Sequence, residues 1–125
     1  MYRILIVEDE ELLRNELTLC MDWADMSFCP PELARDGSQG LAMALTRPPD
    51  VVLTDVRMPR MDGLSMIREM CKSLRCLYIV LSGYDDFSYA VEALHYGVMD
   101  YLLKPVDERQ LETVLRGAAA RLAPE

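Results

Sequence analysis

Short apolar segments alternate along the chain with longer segments in which apolar residues recur at helical spacing. The short segments predict five strands, at residues 3–7, 30–35, 51–55, 77–81 and 99–103. The periodic segments predict five helices, at residues 11–21, 38–46, 63–74, 86–96 and 107–121. A strand–helix order repeated five times is typical of a parallel sheet covered on both faces. We therefore expect a three-layer αβα protein with right-handed crossovers.

Local signals add detail to these elements. Pro30 and Pro31 begin the second strand and cannot donate to a ladder, so that strand should lie at a sheet edge. Ser38 is the predicted N-cap of the second helix, and Asp107 caps the fifth with capping-box spacing. Gly97 is the expected C′ residue of the fourth helix. The helical residues predicted to face the core are Leu13, Leu17, Cys20, Met21, Leu41, Ala44, Leu45, Leu64, Ile67, Cys71, Leu74, Phe87, Ala90, Val91, Leu94, Leu111, Val114, Leu115, Ala118 and Leu122.

Length and composition are those of one ordinary domain, 125 residues of which 51% are hydrophobic. A net charge of −8 argues against contact with nucleic acid by this domain itself. No apolar run approaches the roughly 20 residues of a membrane helix, and the start of the chain lacks signal-peptide character, so we expect a cytoplasmic location without membrane contact. The four cysteines form no C-x-x-C pair, which disfavours zinc, and we expect them to be reduced.

Polar residues follow four of the five predicted strands, at the points where those strands end. Glu8 and Asp9 follow the first strand, Asp55 ends the third, Ser82 follows the fourth and Lys104 the fifth. In an open parallel sheet, ligands bind outside the carboxyl ends of the strands. The pattern therefore predicts that these five residues form one site.

The residue types suggest a chemistry for that site. Three nearby carboxylates repel one another unless a cation lies between them, and their hard oxygens suit Mg²⁺. Lys104 supplies a compact charge that can pair with a carboxylate or a phosphate. Asp55 beside Mg²⁺ and a lysine could therefore accept a phosphoryl group. The alternative is a solvated helix start at Glu8 to Glu11, with a surface lysine elsewhere, which requires that the first and third strands not be adjacent.

Four segments also carry a family resemblance, in order and at matching spacing: ILIVEDE, VVLTDVRMPRMDG, IVLSGYDDFSYA and DYLLKPVD. With them the chain resembles, over its whole length, the receiver domain of two-component response regulators. The resemblance implies a flavodoxin-like fold with a parallel five-stranded sheet of order 2-1-3-4-5. It also implies that residues 1–125 are a single receiver domain that works as a phosphorylation switch and is not an enzyme beyond its own phosphoryl transfer and dephosphorylation.

The resemblance assigns roles to the acidic residues. Asp55 is implied to be the phosphoacceptor, with Mg²⁺ as the cofactor. Glu8 and Asp9 match the acidic pair that holds the metal, together with Asp55 and the backbone carbonyl of Arg57. Glu8 replaces the more usual aspartate, a change that should keep metal binding. Arg57 and Tyr84 flank the site at positions that tune dephosphorylation in this family.

Further residues match the phosphate-binding and switch positions of the family. Lys104 is implied to pair with the phosphoryl group. The peptide bond that matches Lys104–Pro105 is usually cis in this family. Ser82 matches the hydroxyl that moves toward the phosphoryl oxygens. Tyr101 matches the aromatic residue that swings inward with it.

Partners follow from the same resemblance. A sensor histidine kinase is the implied phosphoryl donor, and a homodimer through helix 86–96, strand 99–103 and helix 107–121 is the implied response. Two segments, Met21-Asp22-Trp23 and residues 83–87, resemble the corresponding segments of regulators that carry an AraC-type helix-turn-helix output domain. Such a domain would control transcription and would lie outside this chain, beyond its Ala-rich C-terminal segment.

Three other functions are weaker fits to the sequence. A phosphatase of the haloacid-dehalogenase type needs an acid two residues after the nucleophile, where this chain has Arg57. A flavin carrier needs a phosphate loop after the first strand, where Glu8 to Glu11 would repel phosphate. An interaction domain that works without phosphorylation is more credible, although the chain carries every side chain that phosphorylation requires.

Overall fold

The computed structural model describes residues 1–83 and 87–124, with five strands and five helices in strict alternation. The strands are Ile4–Val7 (β1), Glu32–Ala34 (β2), Val51–Asp55 (β3), Leu77–Ser82 (β4) and Asp100–Leu103 (β5). The helices are Glu11–Leu19 (α1), Gly37–Thr46 (α2), Gly63–Met70 (α3), Phe87–His95 (α4) and Glu108–Leu122 (α5). The predicted order of elements is therefore confirmed.

All five strands run parallel, in the order β2-β1-β3-β4-β5. This is the order expected from the resemblance. The order places β2 at one edge, as predicted, and β5 at the other. The predicted start of β2 is wrong, because the strand begins at Glu32 and Pro30 and Pro31 precede it. The order also places β1 beside β3, with Val7 opposite Thr54. The two strands that end in acidic residues are thus neighbours.

The central strands are buried on both faces, because helices cover the sheet from either side. Ile4, Ile6 and Leu53 pack against one helical layer, which α1 and α5 provide. The alternate residues Leu5 and Val52 pack against α2, α3 and α4. Full burial of such a side chain contributes about 1.5–3 kcal/mol, so β1 and β3 form a firmly held platform.

Most predicted core faces are confirmed. The residues predicted to face the core that are buried are Leu17 on α1, Met21 just after it, Ala44 on α2, Leu64 and Ile67 on α3, and Leu111, Val114, Leu115 and Ala118 on α5. Leu13, Cys20, Leu41, Leu74 and Leu122 are half-buried against the same clusters.

The prediction of core position is wrong for four residues. Leu45 is 52% exposed, Leu94 is 74% exposed, Val91 is 46% exposed, and Cys71 lies at the surface. Among the side chains of α4 that the structure describes, the buried one is Ala93. Apolar residues surround much of this short helix, so their spacing does not specify which side faces the sheet. The side chains of Phe87 and Ala90 lie outside what the structure describes.

The start of α2 also differs from the prediction. Asp36, and not Ser38, is the N-cap: its Oδ1 accepts a 2.8 Å hydrogen bond from the Gln39 amide. The helix consequently begins at Gly37, inside the predicted Asp36-Gly37 turn. Both residue types make good caps, and the chain direction after β2 decides which one reaches the free amides.

The other two predicted ends are confirmed. Asp107 caps α5, with Oδ1 accepting from the amides of Arg109 at 2.9 Å and Gln110 at 3.1 Å. Gly97 follows α4 with a φ of +70°, a conformation that favours glycine. Helix α3 ends four residues earlier than predicted, because the chain tightens after Met70, with the Ser73 amide donating to the Met70 carbonyl at 3.1 Å.

No helix within the described part of the chain has both the length and the apolar character that crossing a bilayer requires.

Gly63 is the closest approach between α3 and the end of β3. A Cβ at this position would lie 2.0 Å from the backbone oxygen of Asp55. The Gly63 amide also donates to the Val56 carbonyl at 2.8 Å. The start of α3 therefore packs directly on the backbone of the residue that ends β3, and only glycine leaves room for it.

We predict that Gly63→Ala lowers the free energy of unfolding by about 1–3 kcal/mol, the usual cost of overpacking. Gly117→Ala in α5 is the matched control, since its Cβ would meet only the flexible Met99 Cε at 3.4 Å. That substitution should stabilise the chain, by up to about 1 kcal/mol, through helix propensity. Urea unfolding measures both values, and equal effects of the two substitutions would contradict the steric argument.

Candidate functional site

Three carboxylates meet at the carboxyl edge of the sheet. Because β1 and β3 are adjacent, the residues after Val7 come beside the end of β3. Carboxylate oxygens of Glu8, Asp9 and Asp55 lie within 4.8 Å of one another. The acids are thus one cluster and not separate solvated loops. Of the acidic run, Glu10 at the N-cap and Glu11 in the first turn of α1 have the helix-start position that the alternative interpretation required, whereas Glu8 and Asp9 belong to the cluster.

Glu8 is the most deeply placed of the three, with no exposed surface. Its Oε2 accepts a hydrogen bond from the Glu10 amide at 3.0 Å, and its Oε1 lies 3.2 Å from Lys104 Nζ. Arg14 holds the same turn by donating to the Glu8 carbonyl at 2.8 Å. Burial, reinforced by the negative charge of Asp55, raises the pKa of Glu8 to about 7. The cluster is therefore short of positive charge.

Asp55 is held at both carboxylate oxygens. The Val56 amide donates to Oδ1 at 2.7 Å, and Lys104 Nζ lies 2.6 Å from Oδ2. The side chain of Asp55 is 9% exposed, so it is nearly buried yet reaches the surface. These contacts leave little rotational freedom to the side chain and present it at the open edge of the sheet.

Lys104 joins two of the acids to the far strand. Burial disfavours its charged form, but the hydrogen bond and charge of Asp55, with those of Glu8, outweigh burial and raise the pKa of Lys104. Its amide donates to the Ser82 carbonyl at 2.8 Å, which anchors the end of β5 to β4. The Lys104–Pro105 peptide bond is cis, the conformation that the resemblance implies.

Ser82 and Tyr101 are in direct contact. Ser82 follows Leu81, the cross-strand partner of Asp55, and is fully buried. Its hydroxyl is hydrogen-bonded to the Tyr101 hydroxyl and donates to the Gly83 carbonyl at 3.1 Å. The two residues that the resemblance couples in a switch therefore touch in this structure.

Arg57 lies two residues beyond Asp55, with its side chain exposed. Its guanidinium stands over the ring of Tyr89 on α4, 5.5 Å from the ring centroid. Sequence reasoning did not find this contact, because Tyr89 belongs to another element. Tyr84, the other predicted flanking residue, lies outside the described residues.

Sequence reasoning also missed the backbone donors of the site. The amides of Val56 and Glu10 donate to the carboxylates of Asp55 and Glu8, and Arg14 stabilises the turn between β1 and α1. Backbone amides carry no residue-specific signal. The short distance from Arg14 to the acidic run was a usable signal, since a basic residue one helical turn into α1 can reach back to the loop.

The donor set fits a divalent cation. Three carboxylates and one ammonium leave a formal charge of about −2 in a partly buried space, and the oxygens are of the hard type that Mg²⁺ prefers. Glu8, Asp9 and Asp55, with the backbone carbonyl of Arg57, are the residues that would hold it. Burial, with the charge of Asp55, raises the pKa of Glu8 to about 7, and a bound cation would favour the charged carboxylate that this environment disfavours.

Comparison with known sequences places this architecture among signalling proteins. The family described as "Response regulator receiver domain" matches residues 4–116. An uncharacterised response regulatory protein of Staphylococcus epidermidis is 39% identical over 122 residues, covering 98% of this chain and 48% of that protein. The transcriptional regulatory protein HptR of Staphylococcus aureus is 39% identical over 115 residues, covering 92% of this chain and 45% of that protein. The chain thus spans about half the length of these relatives.

Solved structures agree. The REC domain of AraT, a response regulator from Geobacillus stearothermophilus, is 38% identical with a TM-score of 0.91, over 97% of this chain and 95% of that one. A two component transcriptional regulator AraC from Clostridium phytofermentans is 38% identical with a TM-score of 0.89, over 96% of this chain and 94% of that one.

The raised pKa of Glu8 predicts a pH-dependent stability in the absence of divalent metal. A folded pKa of about 7 against an ordinary value of 4.5 means that folding favours the protonated acid. The stabilisation is fully present below pH 4.5 and is lost as the pH rises through 7. We expect the free energy of unfolding of the parent chain to fall by about 1–3 kcal/mol relative to Glu8→Gln between pH 5 and 8.

Urea unfolding of both chains in a chelating buffer measures this difference. Glu8→Gln cannot titrate, while every other group, including the exposed His95, is common to the two chains. A difference between them that does not change with pH would show that Glu8 titrates normally.

Proposed function

The chain belongs to the response regulator receiver family of two-component signalling, and on that premise we propose that it is a switch whose phosphoacceptor is Asp55. One observation carries the proposal. The Asp55 carboxylate stands nearly buried at the sheet edge, 2.6 Å from the Lys104 ammonium and beside two further acids. An aspartate held between a lysine and a potential Mg²⁺ site is suited to accept a phosphoryl group.

The proposed donor is the phosphohistidine of a sensor histidine kinase. One carboxylate oxygen of Asp55 forms a bond to phosphorus, the phosphorus–nitrogen bond breaks, and the kinase imidazole leaves and takes up a proton. Mg²⁺, when bound, offsets negative charge on the group in transfer. Beyond this transfer to itself and the later hydrolysis, we propose no catalytic activity for the chain.

Each neighbouring residue has a task that its contacts support. The Val56 amide holds Oδ1 of Asp55, which fixes the orientation of the carboxylate. Lys104 already pairs with Asp55 and Glu8, so its ammonium is placed to pair with an added phosphoryl group. A lysine with a raised pKa stays charged throughout the physiological range.

Ser82 and Tyr101 are the proposed switch. A phosphoryl group on Asp55 offers new acceptor oxygens, and the Ser82 hydroxyl can donate to one of them in place of the Gly83 carbonyl. Tyr101 is hydrogen-bonded to Ser82, so movement of one hydroxyl displaces the other. Because Tyr101 lies on β5, the change reaches the β5 edge of the sheet.

That edge is the surface on which we propose dimerisation. Val91, Leu94 and Leu103 are large apolar residues of α4 and β5 that are 46%, 74% and 52% exposed. Phosphorylation would shift a pre-existing equilibrium toward a form that pairs through α4, β5 and α5. The isolated domain would make no nucleic-acid contact of its own, given its net charge of −8.

The output we propose is control of transcription by a DNA-binding domain outside this chain. The relatives that it matches are about twice as long, and one of them is a transcriptional regulatory protein. An AraC-type output is supported by the similarity to the AraT receiver domain and to a two component regulator AraC.

We predict that the chain becomes labelled by radioactive acetyl phosphate with Mg²⁺ and that Asp55→Asn abolishes the label, since the amide is not a nucleophile. Asp62→Asn is the matched control. Asp62 lies in the following loop and caps α3 through the Ser65 amide at 2.8 Å, a bond that asparagine can keep.

Retention of the label in Asp55→Asn would place the acceptor elsewhere, and an equal loss in Asp62→Asn would show that the loss is not specific to Asp55. Removal of Mg²⁺ by a chelator should slow labelling of the parent chain by at least about tenfold, since charge on the transferring group is then not offset.

A second prediction concerns the dimer. With beryllofluoride as a phosphoryl mimic, sedimentation should show an increased mass for the parent chain, and Leu94→Glu should prevent that increase by placing a charge in an apolar interface. Leu19→Glu on α1 is the control, because Leu19 is 83% exposed and lies outside the proposed face. Equal disruption by both substitutions would argue against an interface on α4.

A further inference from the structure

One contact joins the loop after Asp55 to α4. The Arg57 guanidinium carbon lies 5.5 Å from the centroid of the Tyr89 ring, within the range of a cation–π interaction. Arg57 stands between the proposed phosphoacceptor and α3, whereas Tyr89 lies in the first turn of α4. The contact therefore bridges a loop that belongs to the site and a helix that belongs to the proposed dimer face.

The contact matters because α4 has few other anchors among its described side chains. Ala93 is its one buried residue in that set, and Tyr89 is half-buried, while Val91 and Leu94 face outward. Helix α5, by comparison, buries four apolar side chains against the sheet. Among the described side chains, the Arg57–Tyr89 contact is thus one of the few interactions that hold α4 in place.

Electrostatics couple the contact to the state of Asp55. A phosphoryl group brings additional negative charge to a position two residues from Arg57. That charge attracts the guanidinium and competes with the weaker attraction of the Tyr89 ring. Loss of the ring contact then removes one of the few restraints that the described side chains place on α4.

We propose that the Arg57–Tyr89 contact is a latch that stabilises the resting position of α4 and thereby opposes activation. The proposal rests on the function proposed above, in which phosphorylation of Asp55 alters the α4–β5 face. Tyr89 acts here as a positioning residue: it sets the balance between two forms of the chain and has no part in the chemistry. A cation–π contact at an exposed site corresponds to a change of about two- to fivefold in that balance.

A double-mutant cycle tests the latch. Tyr89→Leu removes the aromatic face but keeps an apolar side chain, and Arg57→Met removes the charge but keeps a long one. Tyr89→Phe and Arg57→Lys are the conservative variants, since each retains one half of the cation–π pair. The cycle is needed because Arg57→Met also changes the charge beside the proposed metal site, and that effect persists whichever residue stands at position 89.

The first measurement needs no ligand. Hydrogen exchange of the α4 backbone amides should be about two- to fivefold faster in Tyr89→Leu than in the parent chain, and unchanged in Tyr89→Phe. The second measurement is a titration with beryllofluoride at saturating Mg²⁺, followed through the Gly97 amide at the end of α4. Tyr89→Leu should raise the apparent affinity about two- to fivefold in the parent background and leave it unchanged in the Arg57→Met background.

The outcomes separate this proposal from the function on which it rests. A parent chain that does not respond to beryllofluoride contradicts the phosphorylation switch, while the exchange measurement still decides whether the latch holds α4. A parent chain that responds, with the effects of the two substitutions simply additive, overturns the latch. A lower affinity in Tyr89→Leu also overturns it, because the contact would then stabilise the active form.

Discussion

The ammonium of Lys104 is the interaction on which the site depends. It lies 2.6 Å from Asp55 and 3.2 Å from Glu8, and it is the one cation that the described contacts place against these two buried acids. Without it, two carboxylates with almost no exposed surface would face each other across a gap of less than 5 Å. Because Lys104 neutralises only part of that charge, the cluster keeps an affinity for a further cation. The same arrangement can therefore hold a metal and accept a phosphoryl group.

The lysine reaches its position only because the sheet is parallel and ordered β2-β1-β3-β4-β5. The acids come from β1 and β3 at the centre, and Lys104 comes from β5 at the edge, anchored to β4 by its amide. Strands that are buried on both faces hold the acids rigidly. Among the side chains that the structure describes, β5 and α4 bury fewer than the central strands do, so a change of charge at the rigid centre can move the periphery without unfolding the core. This difference in anchoring is the physical basis of the proposed switch.

The exposed apolar residues of α4 show where local sequence patterns stop being informative. Leu94 and Val91 were expected in the core and lie at the surface, while Ala93 is buried. In a nine-residue helix with apolar side chains on several sides, spacing alone fits more than one orientation. Among its described side chains, this helix buries Ala93 and leaves the larger Val91 and Leu94 outside, where a partner can cover them. The error in the core prediction and the proposed dimer face thus have the same cause.

The sequence by itself determined the order of the elements, the parallel sheet, the edge position of β2 and the identity of the residues at the carboxyl edge. These follow from local physics: the spacing of apolar residues, the missing amide of proline, and the rule that parallel strands end on one side. Only the tertiary structure decided how deeply Glu8 is buried, that Lys104 pairs with Asp55 and Glu8 together, and that Arg57 stands over Tyr89. Those facts depend on distances between residues far apart in the chain, up to 96 positions for Glu8 and Lys104. Such distances arise from packing and strand register, which the spacing of neighbouring residues does not determine.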